Sequence, residues 1–135
     1  IIRIKIRNIV PTKTIFIILC ILFVLGYTGG LWGGQWYFDT GNHYFHIVGG
    51  LFIGLLAASY YRSEFAKLSQ PLRFFCILSI VMAVGVFWEF HEYTLGQLVH
   101  IPLQGDLADT MKDLLMDTLG GAVAGLFRMR ADVVK

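Results

Sequence analysis

Four apolar runs, each near the roughly 20 residues that a membrane-spanning helix requires, set the terms for this chain. They cover Thr14–Leu31, His43–Tyr61, Leu72–Leu98 and Asp109–Phe127. Only short segments separate them, with no repeat, linker or low-complexity tract, and the 135 residues read as a single domain. The chain is 56% hydrophobic and 15% charged, whereas soluble domains carry about 25% charged residues. A soluble domain of this size leaves much of its area exposed and could not bury so much apolar surface, so lipid must cover the remainder. The expected fold is all-α: a polytopic membrane protein built as a four-helix transmembrane bundle, with one transmembrane domain over residues 1–135.

The charges orient that bundle. Arg3, Lys5, Arg7 and Lys13 precede the first run, Arg62, Lys67 and Arg73 fall between the second and third, and Arg128, Arg130 and Lys135 follow the fourth. The first and third loops contain no Lys or Arg. By the positive-inside rule, both termini and the second loop are cytoplasmic, and loops one and three face outward. An even number of spans agrees with that. The segment Ile1–Arg7 mixes Ile with Arg and Lys in a way that suits an anionic lipid surface. A secretory signal peptide is the alternative for the first run, but that run is longer than such an apolar region and offers only a weak cleavage site at Gly26–Gly34. The chain starts at Ile, so residue 1 need not be the start of translation. Cys20 and Cys76 sit near the cytoplasmic ends of their runs and read as inert small hydrophobes, not a disulfide.

The acidic residues and histidines lie at the other end. Seven of the nine acids (all but Glu64 and Asp132) and all four histidines fall there, whereas ten of the eleven Lys and Arg (all but Lys112) do not. Asp39, His43 and His46 open the second run at spacings that share one helix face. Glu89 and Glu92 share a face of the third run while His91 points elsewhere, and Glu89 lies roughly 13 Å below the helix end at 1.5 Å per residue. Asp106, Asp109, Asp113 and Asp117 fall within an arc of about 80° on a helix, a stripe of carboxylates descending into the membrane. Asp106 or Asp109 also suits a helix N-cap.

So many carboxylates cannot all stay ionised and unpaired in a low-dielectric site; protons or a cation must compensate them. A His and carboxylate set without thiolates suits Zn, Mn, Fe or, where carboxylates dominate, Mg or Ca. The expected ligands of such a divalent metal ion are Asp39, His43, His46, Glu89, Glu92, Asp109, Asp113 and Asp117. The competing readings are a proton-sharing network that holds the bundle together and an ion path. Gly49, Gly50 and Gly54, with Gly121 and Gly125, form small-residue faces for helix packing, within the bundle or in a homodimer. Trp32, Trp36, Tyr37, Trp88 and Tyr93 suit an interfacial aromatic belt. No basic stripe with interleaved aromatics points to nucleic acid.

The strings Asp39-x3-His43, Glu89-x2-Glu92 and Gln104-Gly105-Asp106-x2-Asp109-Thr110-x2-Asp113, followed by Gly120, resemble the YjdF-like family of bacterial inner-membrane proteins over about residues 38–125. The resemblance implies a multi-pass protein of the bacterial cytoplasmic membrane and brings no assigned activity. Ala108 stands where the family pattern has an aromatic residue, and His46 and Asp117 lie outside that pattern, so their roles rest on helix geometry. A more distant likeness is to VanZ-like proteins, whose final helix also starts with an acid and ends in small residues.

Two classes of function follow. One is a metal-dependent hydrolase or phosphotransferase working at the outer leaflet on a lipid or lipid-linked substrate, with Glu92 or Asp106 as general base. The chain contains no Pro-Ser-Gly-His and no Asp-Gly-x2-Ala-Arg string of the established lipid phosphatases and phosphotransferases. The other is a non-catalytic small membrane subunit or scaffold whose polar cluster is structural or meets a partner protein. The cytoplasmic halves of the spans are almost wholly apolar, which favours a dead-end site open to the outside over a channel.

Overall fold

The computed structural model describes residues 41–100 and 102–133, together with positions 14, 17, 18, 21, 24, 25 and 28. The described positions of the first apolar run are helical, and Thr28 Oγ1 donates to Val24 O at 2.8 Å. Asp39, Cys20, Trp32, Trp36 and Tyr37 lie outside the described residues.

Four helices follow: α1 (Asn42–Tyr60), α2 (Arg62–Phe65), α3 (Gln70–Val99) and α4 (Leu107–Val133). Pro71 stands in the first turn of α3, where its missing N–H is no loss, and Ser69 takes the extended conformation usual at an N-cap. At the other end His100 takes a left-handed conformation (φ 56°) and its N–H reaches Gly96 O, which closes the helix. The thirty residues of α3 make a rod of about 45 Å, longer than the roughly 30 Å hydrocarbon core. Both α1 and α3 are long and apolar enough to cross a membrane. The 27 residues of α4 are long enough too, but its first half carries Asp109, Lys112, Asp113 and Asp117.

α4 packs against both α1 and α3, which touch each other less. Glycine makes this possible at two levels. A Cβ on Gly50 would collide with the backbone carbonyl of Asp117, and one on Gly120 with the backbone of Ile47 and Leu51. The α1 and α4 backbones are therefore in direct contact. Gly121 and Gly125 turn the other way, onto Val81 and Phe74 of α3. The small residues of α4 thus serve two neighbours, where the sequence suggested one face. Gly49 meets nothing within 4 Å.

The burial pattern is that of a protein wrapped in lipid. Leu107, Met111, Leu115, Leu119, Val123 and Leu126 run along the exposed side of α4, and Phe75, Phe87 and Phe90 stand exposed on α3. Asn42, His46, Glu89, Asp113 and Asp117 are buried. Water would not stabilise that arrangement, because an apolar stripe of this length is a contact surface. The apolar core sits at the opposite end from the histidines: Ile77, Ala58 and Phe65 pack together beside Leu68, Cys76 and Ile80. The short α2 folds Phe65 back under the bundle. The free Cys76 is one of these packed, half-buried residues. Arg128 donates to Ser59 Oγ at 2.6 Å, and Arg73 Nε to Phe65 O at 2.9 Å, so basic groups tie the same end together. In the exposed α2 segment, a hydrogen bond from Ser63 holds the Glu64 carboxyl below its usual range.

Candidate metal centre

Three helices deliver the cluster. The first turns of α1 supply Asn42, His43 and His46; the C-terminal third of α3 supplies Glu89; the first three turns of α4 supply Asp109, Asp113 and Asp117. Helical spacing of three and four stacks each set on one face, and the close approach of α1 to α4 brings two of the faces together.

Asp113 is the hub, with 1% of its surface exposed. Its Oδ2 accepts from Asn42 Nδ2 at 2.7 Å, and its Oδ1 lies 2.6 Å from His43 Nδ1. His43 Nε2 in turn stands 3.9 Å from Asp109 Oδ1. One turn deeper, His46 Nδ1 lies 3.2 Å from Asp117 Oδ2. Its Nε2 faces Asp113 Oδ2 at 3.5 Å and Glu89 Oε1 at 4.0 Å. Gly85 makes room for this, since a Cβ there would strike the Asp117 carboxylate.

Glu89 is 4% exposed. Its Oε2 accepts from Gln104 Nε2 at 3.1 Å, and the same amide nitrogen donates to Thr110 Oγ1 at 3.0 Å. Its Oε1, fully buried, has no hydrogen-bond partner among the described residues. A buried carboxyl oxygen without a hydrogen-bond partner is costly. Three carboxyl groups (Glu89, Asp113 and Asp117) surround the His46 ring, and Asp113 is shared with His43.

A cation fits this donor set. With Nδ1–H donating to Asp117, Nε2 would offer its lone pair to an ion, the arrangement by which a carboxylate orients a metal-ligating histidine. Nε2, Glu89 Oε1 and an Asp113 oxygen then converge. Donors around a metal with bonds of about 2.1 Å stand roughly 3–3.5 Å apart, so the 4.0 Å gap between His46 and Glu89 closes with a small side-chain movement. Within 4.8 Å, two groups can hold an ion: His46, Glu89 and Asp113, and, nearer the surface, His43, Asp109 and Asp113. Asp113 belongs to both.

Other residues singled out in the sequence take different places. Asp106 Oδ1 accepts from the backbone N–H of Asp109 at 2.9 Å and so caps α4. Glu92 accepts from Trp88 Nε1 at 2.8 Å. It lies in neither group and instead lines a pocket of about 450 Å³ between the end of α3 and the loop before α4. His91 is exposed beside the Trp88 ring, 5.5 Å between centroids. Asn42 and Gln104 were missed as site residues. Asn42 lies four residues before His46 on the same face, a signal available in the sequence; Gln104 acts from a loop, and nothing short of the fold aims its amide at Glu89.

Fold and site together define a helical membrane protein with a buried His and carboxylate cluster that can hold a metal ion. The chain belongs to the family described as "Predicted membrane protein (DUF2238)", whose model matches residues 1–132. No curated protein and no solved structure matches it.

Proposed function

We propose that this chain is a four-span protein of the bacterial inner membrane, with both termini cytoplasmic, that binds a divalent cation near the outer ends of α1, α3 and α4. The supporting observation is the buried Glu89 Oε1, without a hydrogen bond among the described residues, 4.0 Å from Nε2 of a histidine whose other nitrogen lies against Asp117. His46, Glu89 and Asp113 are the ligands of this site, with His43 and Asp109 beside it. Asp39 is assigned to the same outer cluster from its sequence spacing alone. A nitrogen and carboxylate set of this kind suits Zn, Mn or Fe, and Mg if oxygen ligands predominate.

A bound cation would polarise a phosphoryl or acyl oxygen and acidify a water, the equipment of a hydrolase or phosphotransferase acting on lipid-linked substrate. In that role Glu92 is the better-placed general base, because Asp106 is engaged as a helix cap. The competing reading, a structural network in a small membrane subunit, is favoured by the hydrogen bonds that already satisfy Asp113 and Glu89 Oε2. Metal content separates the two. Protein purified in mild detergent should carry about one equivalent of metal, and a Glu89→Gln, Asp113→Asn double variant almost none. Metal-free wild type beside a folded variant would leave only the structural network, which survives changes that preserve hydrogen bonding.

A further inference from the structure

A cation bound by Glu89 and Asp113 must reach a buried place; the half-buried His43 and Asp109 adjoin it on one side, and a pocket at the end of α3 adjoins it on another. The 450 Å³ pocket ends against Gln104, and the Gln104 amide is the group that donates to Glu89 Oε2 at 3.1 Å and to Thr110 Oγ1 at 3.0 Å. The Gln104 side chain thus touches both the pocket and the cluster. Glu92 lines the pocket one helical turn above Glu89 on the same face of α3. Trp88 Nε1 donates to its Oε1 at 2.8 Å.

One acid, neutral amides and one histidine line the pocket. Its described lining carries the Glu92 carboxylate, the amides of Gln97 and Gln104 and the ring of His100, with no Lys or Arg. It also lies at the C-terminal end of α3, where the last carbonyls add a partial negative charge. A cavity of that kind concentrates cations and repels phosphate and carboxylate groups.

We propose that this pocket is the entrance by which a divalent cation passes from the outer face to the site, with Glu92 capturing the ion and Gln104 turning aside to admit it. The proposal rests on the cation site put forward above. It gives Glu92 a positioning role in ion entry, distinct from that of a ligand. An entrance residue changes uptake and release by the same factor and leaves the equilibrium constant alone, whereas a ligand changes the equilibrium.

The test is stopped-flow uptake of Mn²⁺ and of Zn²⁺ by the metal-stripped full chain in detergent, paired with equilibrium metal content. The variants are Glu92→Gln, Gln97→Arg and Asp113→Asn. Glu92→Gln should slow uptake about tenfold at low ionic strength while final metal content stays at the wild-type value. The difference should shrink in about 0.5 M salt, where screening is strong. Gln97→Arg, a surface change that reverses the local charge, should slow uptake likewise and guards against a Glu92→Gln protein that does not fold. Asp113→Asn should lose metal at equilibrium. Wild-type uptake rates in both Glu92→Gln and Gln97→Arg, with full metal content, would overturn the entrance and leave the site standing. Loss of equilibrium metal in Glu92→Gln would make Glu92 a ligand and also overturn it. A wild type that takes up no metal removes both the entrance and the site.

Discussion

Gly49 and Gly50 are neighbours in sequence and opposites in consequence. A Cβ on Gly49 meets nothing within 4 Å, whereas one on Gly50 would land on the Asp117 carbonyl. Backbone cannot step aside as a side-chain tip can, so in Gly50→Ala the two helices must part by about 1 Å to restore van der Waals distance. Overpacking of this kind costs about 1–3 kcal/mol, and the separation also draws Asp117 away from His46, whose hydrogen bond already measures 3.2 Å. Gly49→Ala should instead be neutral or stabilising by up to about 1 kcal/mol, because alanine is the better helix former. Thermal unfolding of both variants in one detergent makes the comparison. A lowering of roughly 5–10 °C is expected for Gly50→Ala, with no loss for Gly49→Ala. Equal midpoints for the two would refute the α1–α4 backbone contact.

Asp117→Asn and Gly85→Ala should each weaken cation affinity about 10- to 100-fold without abolishing binding, since both disturb the group that orients His46; competition titration with a chelator measures this. In the metal-free protein Glu89→Gln should raise thermal stability, because a buried group with one oxygen lacking a donor is replaced by an amide with no charge to bury. A lower midpoint in the stripped variant would count against an ionised Glu89 there. Asp106→Ala should cost about 1 kcal/mol through the lost helix cap while leaving metal content unchanged. Metal loss in that variant would place Asp106 in the site.

The helical fold was legible because its signals are long-ranged: α1, α3 and α4 cover the second, third and fourth apolar runs, and the glycines and Pro71 mark where backbones approach or begin. Helical periodicity also placed His43, His46, Glu89, Asp109, Asp113 and Asp117 on inward faces, and the structure brings these six together. Periodicity could not separate residues on one face by depth. Glu92 shares the face of Glu89, yet one turn moves it from the cluster to the pocket wall. Asp106 continues the stripe of α4 in projection but precedes the helix and caps it. The four-residue α2 escaped notice because its stability comes from Phe65 packing on Ala58 and Ile77, a tertiary contact with no local periodic signature. Gln104 stands in the sequence only as the start of the Gln104-Gly105-Asp106 string, since a loop amide acquires its role only when the fold aims it.

The central claim is that His46, through Nε2, joins Glu89 and Asp113 on one cation. X-ray absorption spectroscopy of the zinc-loaded protein tests it most directly, comparing wild type with His46→Gln. The account predicts nitrogen and oxygen ligands at about 2.0–2.1 Å, with the outer-shell scattering of imidazole present in the wild type and reduced or lost in the variant. A wild-type spectrum without imidazole scattering, or one that His46→Gln leaves unchanged, would contradict it.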